Sequence, residues 1–241
     1  MAKINTDKAV EVAANTYWVG FYDPKANFHC NPYLLVDGDD AIIIDPGSIP
    51  HFPTVARKVS SIIKFSRISR IIIHHQDPDL ASNITVFEKL INRKDLRVVT
   101  TRRVSFLTDF YGFKTPYRMV EEGDLNFGGR NLQFHRTPYL HSPGAFTTYD
   151  PKTKTLFSSD IFGAFSEGWD LYAGEDYPEK MWTFHHTYMP PGDILKNQMK
   201  EFEKLEMDRI CSQHGSVIEK KWVDFNINAL KEIKTGGYLQ G

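Results

Sequence analysis

Four short apolar runs in this sequence each end in a side chain that can bind a metal ion, and each is followed by a proline, a glycine or a turn. The four segments are Ile71-Ile72-Ile73-His74-His75-Gln76-Asp77-Pro78-Asp79, Tyr139-Leu140-His141-Ser142-Pro143, Leu156-Phe157-Ser158-Ser159-Asp160 and Ile210-Cys211-Ser212-Gln213-His214-Gly215. Strand ends hold side chains at fixed positions, while the loops after them leave an opening. One such histidine or aspartate is more often a cap than a ligand, but four of them together predict a metal site.

Strand-like and helix-like segments alternate along most of the chain. Short β-branched or aromatic runs between turn residues predict strands at Tyr17–Phe21, Pro32–Val36, Ala41–Ile44, Ile71–Ile73, Val98–Thr100, Leu132–Arg136, Ala145–Tyr149, Thr155–Ser158 and Arg209–Ser212. Apolar residues at helical spacing predict helices at Val55–Phe65, around Val86–Ile91, and at Val104–Phe110, Ile194–Leu205 and Trp222–Ile233. The order predicts an α/β fold. Because no repeat or linker-like segment interrupts it, we expect one domain over residues 1–241.

The composition argues against several classes of protein. The 29 Lys and Arg residues balance 30 Asp and Glu residues, so no broad basic surface for nucleic acid is expected. Aliphatic runs such as Ile71-Ile72-Ile73 have no more than four residues, whereas a membrane span needs about 20. The first ten residues lack a signal-peptide core, which predicts a cytoplasmic protein. Two cysteines are too few for a disulfide scaffold or a structural zinc site.

The sequence resembles the metallo-β-lactamase superfamily and, within it, the metal domain of flavodiiron proteins. The resemblance is carried by Trp18-Val19-Gly20, Phe28-His29-Cys30-Asn31-Pro32-Tyr33-Leu34-Leu35, Ile44-Asp45-Pro46-Gly47 and the segment ending at Gly215. It implies a metallo-β-lactamase-like αββα four-layer sandwich. Hydrolytic members carry an HxHxDH motif that binds two zinc ions, and the diiron branch carries HxExDH. Here the motif reads His75-Gln76-Asp77-Pro78-Asp79-Leu80, so Asp77 takes the place of the diiron carboxylate.

The resemblance, carried over position by position, implies six ligands for two metal ions. They are His75, Asp77 and His141 for one ion, Asp79 and His214 for the other, and Asp160 as the bridge between them. Carboxylate oxygens favour harder ions, so the change to Asp77 predicts two iron ions, or manganese, over zinc. Open positions between the two ions would accept water, hydroxide or a small diatomic molecule. Leu80, where the family has a histidine, would make the pocket of the second ion drier.

Two further residues are candidates for a role in the chemistry. His29 lies in a segment that resembles the flavodiiron stretch bearing a pocket histidine, and it could give a hydrogen bond or a proton to bound oxygen. The alternative for His29 is a structural turn histidine. Tyr188 is a candidate for lining the pocket. We interpret His74 and Asp45 as supporting residues, and Cys30 as a buried inert thiol, rather than as ligands.

Flavodiiron enzymes carry a flavodoxin domain after the metal domain, and it supplies FMN and electrons. This sequence stops at Gly241, soon after its last predicted helix, so we expect no FMN. The stand-alone oxygen-binding diiron proteins resemble the same metal domain without its flavin and serve as oxygen sensors in bacterial chemotaxis. The resemblance therefore implies a non-haem diiron protein that binds dioxygen, reversibly or as a peroxide, and signals to a partner protein. A homodimer is expected by resemblance alone.

Two other functions stay open, and with them the question whether the chain is an enzyme. One is an oxygen or nitric oxide reductase that receives electrons from a separate flavoprotein or rubredoxin as its electron-donor protein. The other is a dinuclear zinc hydrolase in which a metal-bound hydroxide attacks an ester, thioester or phosphodiester. Asp77 and Leu80 are the sequence features against the hydrolase.

Overall fold

A computed structural model describes residues 4–190 and 193–235. The strands in these residues are β1 (Val10–Ala13), β2 (Thr16–Trp18), β3 (Phe21–Asp23), β4 (Phe28–Cys30), β5 (Tyr33–Asp37), β6 (Asp40–Ile44), β7 (Ile68–Ile72), β8 (Arg97–Thr100), β9 (Tyr117–Met119), β10 (Leu125–Phe127), β11 (Arg130–Arg136), β12 (Phe146–Asp150), β13 (Thr155–Ser159), β14 (Arg209–Ser212) and β15 (Ile218–Glu219). The helices are α1 (Phe52–Ser60), α2 (Pro78–Ala81), α3 (Ile84–Ile91), α4 (Arg102–Thr108), α5 (Tyr177–Tyr188), α6 (Asp193–Phe202) and α7 (Lys220–Glu232). No helix among them is both long and apolar enough to cross a bilayer.

The strands form two large sheets and a hairpin. The first sheet has the order β1-β2-β5-β6-β7-β8-β9, the second has the order β10-β11-β12-β13-β14-β15, and β3 pairs with β4. Strands β6 to β9 run parallel, and so do β13 and β14. The antiparallel opening and the following βαβα unit agree with the order of predicted elements.

Side chains alternate between the two faces of each strand, so the apolar residues form three separate layers. On the first sheet, Leu34 and Ile43 pack outward with Val55 of α1 and Phe87 of α3. The residues at the alternate positions of the same strands face the second sheet. This inner cluster joins residues from both sheets, among them Leu35, Ile42, Ile44, Phe146 and Phe157. Because side chains alternate between the two faces of a strand, the first sheet is covered on both sides.

The second sheet is covered by the C-terminal helices. Leu156 of β13 and Ile210 of β14 belong to one apolar cluster with Met181 of α5, Met199 of α6 and Val223 of α7. The layers therefore run helices, sheet, sheet, helices, which confirms the predicted four-layer α/β sandwich. Strands β7, β13 and β14 end at the same side of the molecule, where the predicted ligands follow them.

The structure differs from the predicted elements in two places that matter for the site. The predicted strand Tyr17–Phe21 is broken, because β2 ends at Trp18 and the chain leaves the sheet to start the β3–β4 hairpin. A side chain at Gly20 would collide with the carbonyl oxygen of Cys30, so only glycine permits this crossing. Helix α5, which ends at Tyr188, was not predicted. Its aromatic residues lie on both faces and obscure the helical period.

Candidate metal centre

Pro78 shapes the loop that carries two of the predicted ligands. The residue before a proline is driven into an extended conformation, and Asp77 has φ −65° and ψ 142°. Proline is well tolerated in the first helical turn, and α2 begins at Pro78 with Asp79 in that turn. The two carboxylates therefore lie on different elements, although they are only two residues apart.

The first group of ligand atoms comes from the loops that follow β7, β11 and β13. Tyr139 and Leu140, expected as a strand-like run before His141, lie in a turn instead. Nε2 of His141 lies 2.9 Å from Oδ2 of Asp160 and 3.4 Å from Oδ2 of Asp77. Nε2 of His75 lies 3.5 Å from Oδ2 of Asp160 and 3.6 Å from Oδ2 of Asp77. Ligands that share one ion at about 2.1 Å stand roughly 3.0–3.5 Å apart. The spacing of these four side chains is thus compatible with one ion between them.

The second group lies on the other side of Asp160. Nε2 of His214 is 3.0 Å from Oδ2 of Asp79 and 3.9 Å from Oδ1 of Asp160. Cys30 adds a third potential donor, because its Sγ lies 4.0 Å from Oδ2 of Asp79 and 3.9 Å from Nδ1 of His214. Burial raises the pKa of the Cys30 thiol to about 11, so the neutral thiol is favoured at neutral pH. Cys30 is free and buried, in agreement with its interpretation as an inert thiol.

The carboxylate of Asp160 faces both groups. Its Oδ2 is directed to His141 and His75, whereas Oδ1 is the oxygen nearer to His214. Among the described residues, Oδ1 is buried and has no hydrogen-bond partner. An unpaired buried carboxylate oxygen is costly, so this atom fits a role as ligand of a cation. Ser159, just before it, has a left-handed φ of 56°, a strained conformation of the kind found at functional sites.

Hydrogen bonds on the far side of two rings orient the histidines. Nδ1 of His214 lies 3.0 Å from the main-chain carbonyl oxygen of His29. A carbonyl only accepts, so His214 donates from Nδ1 and its Nε2 is the nitrogen available to a metal ion. Nδ1 of His75 lies 3.0 Å from Oγ of Ser159, which likewise leaves Nε2 of His75 for the first group. Such contacts fix the orientation of ligand rings in metal sites.

The electrostatics of the two groups are dominated by their acidic members. Burial lowers the pKa of His75, but Asp160 and Asp77 outweigh it, and the pKa of His75 rises to about 9. Burial also opposes the charge of Asp160, yet the nearby histidines His75, His141 and His214 hold its pKa well below the usual value. In the absence of a cation, the raised pKa values of His75 and His214 favour protonated rings that compensate the carboxylates. A metal ion would displace these protons on binding.

His74 and Asp45 support the end of β7, as predicted for them. Asp45 accepts the main-chain N–H of His74 through Oδ1 at 2.9 Å, and its Oδ2 lies 2.6 Å from Nδ1 of His74. Nε2 of His74 lies 2.9 Å from Oγ1 of Thr148 on β12. Both nitrogens of this buried ring are thus occupied. His74 links the two sheets beside the site instead of contributing a ligand.

A cavity of about 310 Å³ opens above the two groups. Its walls contain five of the six predicted ligands, all except His75, together with Asn27, Phe28, His29, Ala164, Phe165, Ser166, Phe184 and Tyr188. Tyr188 is half-exposed, and its ring centroid lies 6.1 Å from that of His141. The structure therefore brings five of the predicted ligands into the wall of one cavity, with Nε2 of His75 within 3.6 Å of two of them, and places Tyr188 in the same wall.

His29 lies in the cavity wall, but both of its ring nitrogens are engaged. Nε2 accepts the main-chain N–H of Gly215, so Nδ1 carries the proton and donates it to Oγ of Ser166. Burial, and then the charge of His214, hold the pKa of His29 well below its usual value, so the ring is neutral. Gly215 has φ 92°, and a β-carbon there would collide with the hydroxyl of Tyr177. In this arrangement, no N–H of His29 is free to act on a ligand in the cavity.

The structure also corrects the expectation for Leu80 and adds supporting residues that were not identified from the sequence. Leu80 is fully buried in the apolar cluster of α1 and α3 and does not line the cavity, so it does not dry the pocket of a second ion. The missed residues are Gln76, Ser142, Ser159 and Ser166, which hydrogen-bond to predicted ligands, to their loops or to His29. Gln76, Ser142 and Ser159 could have been identified from the sequence, because each is the direct neighbour of a predicted ligand.

The chain is similar in sequence to several known proteins. Among curated proteins, the uncharacterised protein MJ0732 of Methanocaldococcus jannaschii is 30% identical over 240 residues, which cover 92% of this chain and 60% of that protein. The anaerobic nitric oxide reductase flavorubredoxin of an Enterobacter species is 30% identical over 168 residues, which cover 64% of this chain and 35% of that protein. The chain thus spans at most 60% of the length of these two relatives.

Solved structures show the same fold. A structure described as the peroxy diiron species of the chemotaxis sensor ODP has a TM-score of 0.81 and 24% identity, and the match covers 96% of this chain and 98% of that one. The flavodiiron protein of Giardia intestinalis has a TM-score of 0.80 and 21% identity, with 92% and 58% covered. The fold is therefore metallo-β-lactamase-like. Residues 28–215, which include all six predicted ligands, match the family described as ODP family beta lactamase, and this chain belongs to that family.

Proposed function

We propose that this chain is a non-haem diiron protein that binds dioxygen and reports it to a signalling partner. The observation that supports this most directly is the buried carboxylate of Asp160, whose two oxygens face different histidine groups, while Oδ1 has no hydrogen-bond partner in the described part of the chain. A carboxylate in this position is suited to bridge two cations. The six predicted ligands stay a proposal until metal binding is measured.

Iron is the proposed metal because of the donor set. Three imidazoles and three carboxylates surround the two positions, and carboxylate-rich sites favour harder ions than zinc. Two ferrous ions held there would supply the two electrons that dioxygen needs. The contribution of the chain is to hold the ligands through Ser159 and the carbonyl of His29, and to keep the histidine Nε2 atoms directed inward.

The cavity is suited to a small ligand. Its volume of about 310 Å³ is at the lower end for ligand pockets, and aromatic side chains form much of its wall, including Phe28, Phe165, Phe184 and Tyr188. These rings would limit the access of bulk water to the metal positions. A diatomic molecule fits this environment better than a bulky ester or phosphodiester does.

The role as a sensor and the role as a reductase are supported by different relatives. The ODP structure, of which this chain covers 98%, is named a chemotaxis sensor, which supports the sensor. A nitric oxide reductase flavorubredoxin at 30% identity supports a second candidate, an oxygen or nitric oxide reductase with a separate electron-donor protein. The absence of FMN, the homodimer and the cytoplasmic location stay predictions.

Anaerobic reconstitution with Fe(II), followed by mixing with oxygen, tests the proposal. We expect two iron ions per chain and an oxygen-dependent absorption band that persists without an electron donor. Rapid loss of the band, with sustained oxidation of an added donor, would favour the reductase. Two zinc ions per chain together with esterase or phosphodiesterase activity would reject the diiron proposal. Reconstitution with Mn(II) and Zn(II) in parallel serves as the control for metal preference.

A further inference from the structure

Two large aromatic side chains are exposed side by side at α4 and the turn that follows it. Phe106 is 71% exposed and Phe110 is 83% exposed, and their ring centroids lie 6.5 Å apart. Leu107 is 43% exposed next to them. Exposed apolar side chains that cluster in this way mark interaction surfaces more often than isolated ones do.

A groove of about 600 Å³ adjoins these residues, and we call it the α4 groove. It is lined by Arg102, Arg103, Phe106, Leu107, Glu121, Arg136, Ser142 and Pro143. Three arginines thus face one glutamate. Arg136 is paired with Glu121 at 3.1 Å, whereas Arg102 and Arg103 form no ion pair with any residue that the structure describes. The α4 groove therefore combines apolar side chains with an excess of positive charge.

We propose that the α4 groove binds an acidic segment of a partner protein, which inserts an apolar side chain between the arginines. Arginine is enriched at the centres of protein interfaces, and it binds carboxylates through two parallel hydrogen bonds. A second copy of this chain would bring arginines against arginines if the two grooves met, which is unfavourable. The concave shape also suits a protruding side chain better than a flat lipid surface.

The α4 groove is connected to the candidate metal centre by two hydrogen bonds. Ser142, which lines the groove, follows His141 in the chain and donates through Oγ to Oε1 of Gln76 at 2.7 Å. The amide nitrogen of Gln76 then donates to Oδ1 of Asp77 at 2.9 Å. A peptide bound in the groove and a metal ion bound at the centre would therefore both act on the loop that carries Gln76 and Asp77. This connection rests on the proposed function, whereas binding of the acidic segment does not.

Fluorescence anisotropy with the metal-free full chain tests the groove itself. The probe is a labelled synthetic peptide in which Asp and Glu alternate with Leu and Phe, and the control peptide has Lys in place of each acidic residue. We expect the acidic peptide alone to bind, with an affinity that falls as salt is added. Arg102→Glu with Arg103→Glu, or Phe106→Ser, should weaken binding by roughly tenfold or more. Lys196→Glu, an exposed change on α6, should not.

Each contrary result has a defined meaning. No binding of the acidic peptide, or binding that the groove variants leave unchanged, overturns the proposal. Concentration-dependent dimerisation abolished by Phe106→Ser would assign the surface to a second copy instead. Co-sedimentation with anionic phosphatidylserine vesicles, abolished by the arginine variants while the peptide fails to bind, would assign it to a membrane.

The connection to the metal centre is measured separately. Loading with Fe(II) should change the affinity for the acidic peptide by roughly fivefold or more, and in Ser142→Ala the affinities measured with and without iron should become equal. Equal affinities with and without bound iron would overturn the connection to the metal centre, while the proposal that the groove binds an acidic segment would be unaffected. If the chain takes up no iron at all, the proposed function fails, and the metal-free binding result still stands by itself.

Discussion

The side-chain amide of Gln76 donates a hydrogen bond to Oδ1 of Asp77, with 2.9 Å between the two atoms. The other end of the same amide accepts from Oγ of Ser142 at 2.7 Å, so the side chain of Gln76 is fixed at both ends. Asp77 is left with Oδ2 directed to the two histidines of the first group. Gln76 therefore decides which oxygen of Asp77 is available to a metal ion.

Replacement of Gln76 by alanine should weaken the first metal position. Without the amide donor, the carboxylate of Asp77 is free to rotate, and loss of a hydrogen bond to a ligand commonly costs 10- to 100-fold in metal affinity. We expect a loss in that range on anaerobic titration of the metal-free protein with Fe(II). Gln198→Ala on α6 is the matched control. An unchanged affinity in Gln76→Ala would mean that Asp77 is held by other contacts or is no ligand.

Asp160 and His214 should affect metal content differently. Because the oxygens of Asp160 face both groups, Asp160→Ala should lower the occupancy of both positions. His214 contacts only the second group, so His214→Ala should mainly empty one position. Elemental analysis after identical reconstitution measures both effects, with the exposed Asp224→Ala as control. Equal metal content in these variants and the parent would reject the assignment of ligands.

Sequence patterns predicted those parts of the fold in which burial is complete. The end of strand β7, Ile71 and Ile72, is buried between the parallel strands β6 and β8, and with Ile73 just after it forms the uninterrupted apolar run that the sequence shows. Helix α5 was missed because its buried face combines Tyr177, Met181 and Phe184, while Trp182 lies exposed on the opposite side. Aromatic residues on both faces weaken the contrast between the apolar and the polar face, and this contrast is what reveals the helical period in a sequence.

The candidate ligands followed from the resemblance, and a supporting role was expected for His74 and Asp45, whereas the other supporting contacts were not predicted. The residues of the metal motif are close in sequence, so a spacing could identify them. Ser142 reaches Gln76 across 66 positions of sequence, through a loop whose path no local pattern specifies. His29 was a candidate either for donating a hydrogen bond or a proton or for a structural role, and the contact with Gly215 that occupies its ring depends on the packing of two distant segments. Long-range contacts between loops are the part that sequence alone cannot supply.

Lys58 is a buried cation without a carboxylate partner among the described residues. Its ammonium donates to the carbonyl oxygens of Thr6 and Gly20 and lies 3.9 Å from the ring centroid of Trp18. Burial lowers the pKa of Lys58 from 10.5 to about 7. The charged form is therefore less favourable in the folded chain than in the unfolded one.

This burial predicts a pH dependence of stability with a definite sign. Between pH 7 and 10.5 the unfolded state binds the proton of Lys58 and the folded state does not, so the free energy of unfolding should rise with pH in this range. The penalty is fully present below pH 7. The rise is at most about 1.4 kcal/mol per pH unit from one group. Lys58→Met should lower the slope measured by urea unfolding from pH 7 to 9, and Lys89→Met should not; equal slopes would contradict the prediction.

Leu80 provides a test of what the departure from the family motif means. The side chain is fully buried in the apolar cluster that α1 and α3 cover, so the histidine of the family motif would place a polar ring there. Leu80→His should lower the free energy of unfolding by about 2–5 kcal/mol without adding bound metal. Leu80→Met, which keeps the volume, should cost less than about 1.5 kcal/mol. Urea unfolding and elemental analysis measure the two effects. A stable Leu80→His variant with increased metal content would show that this position faces the metal centre after all.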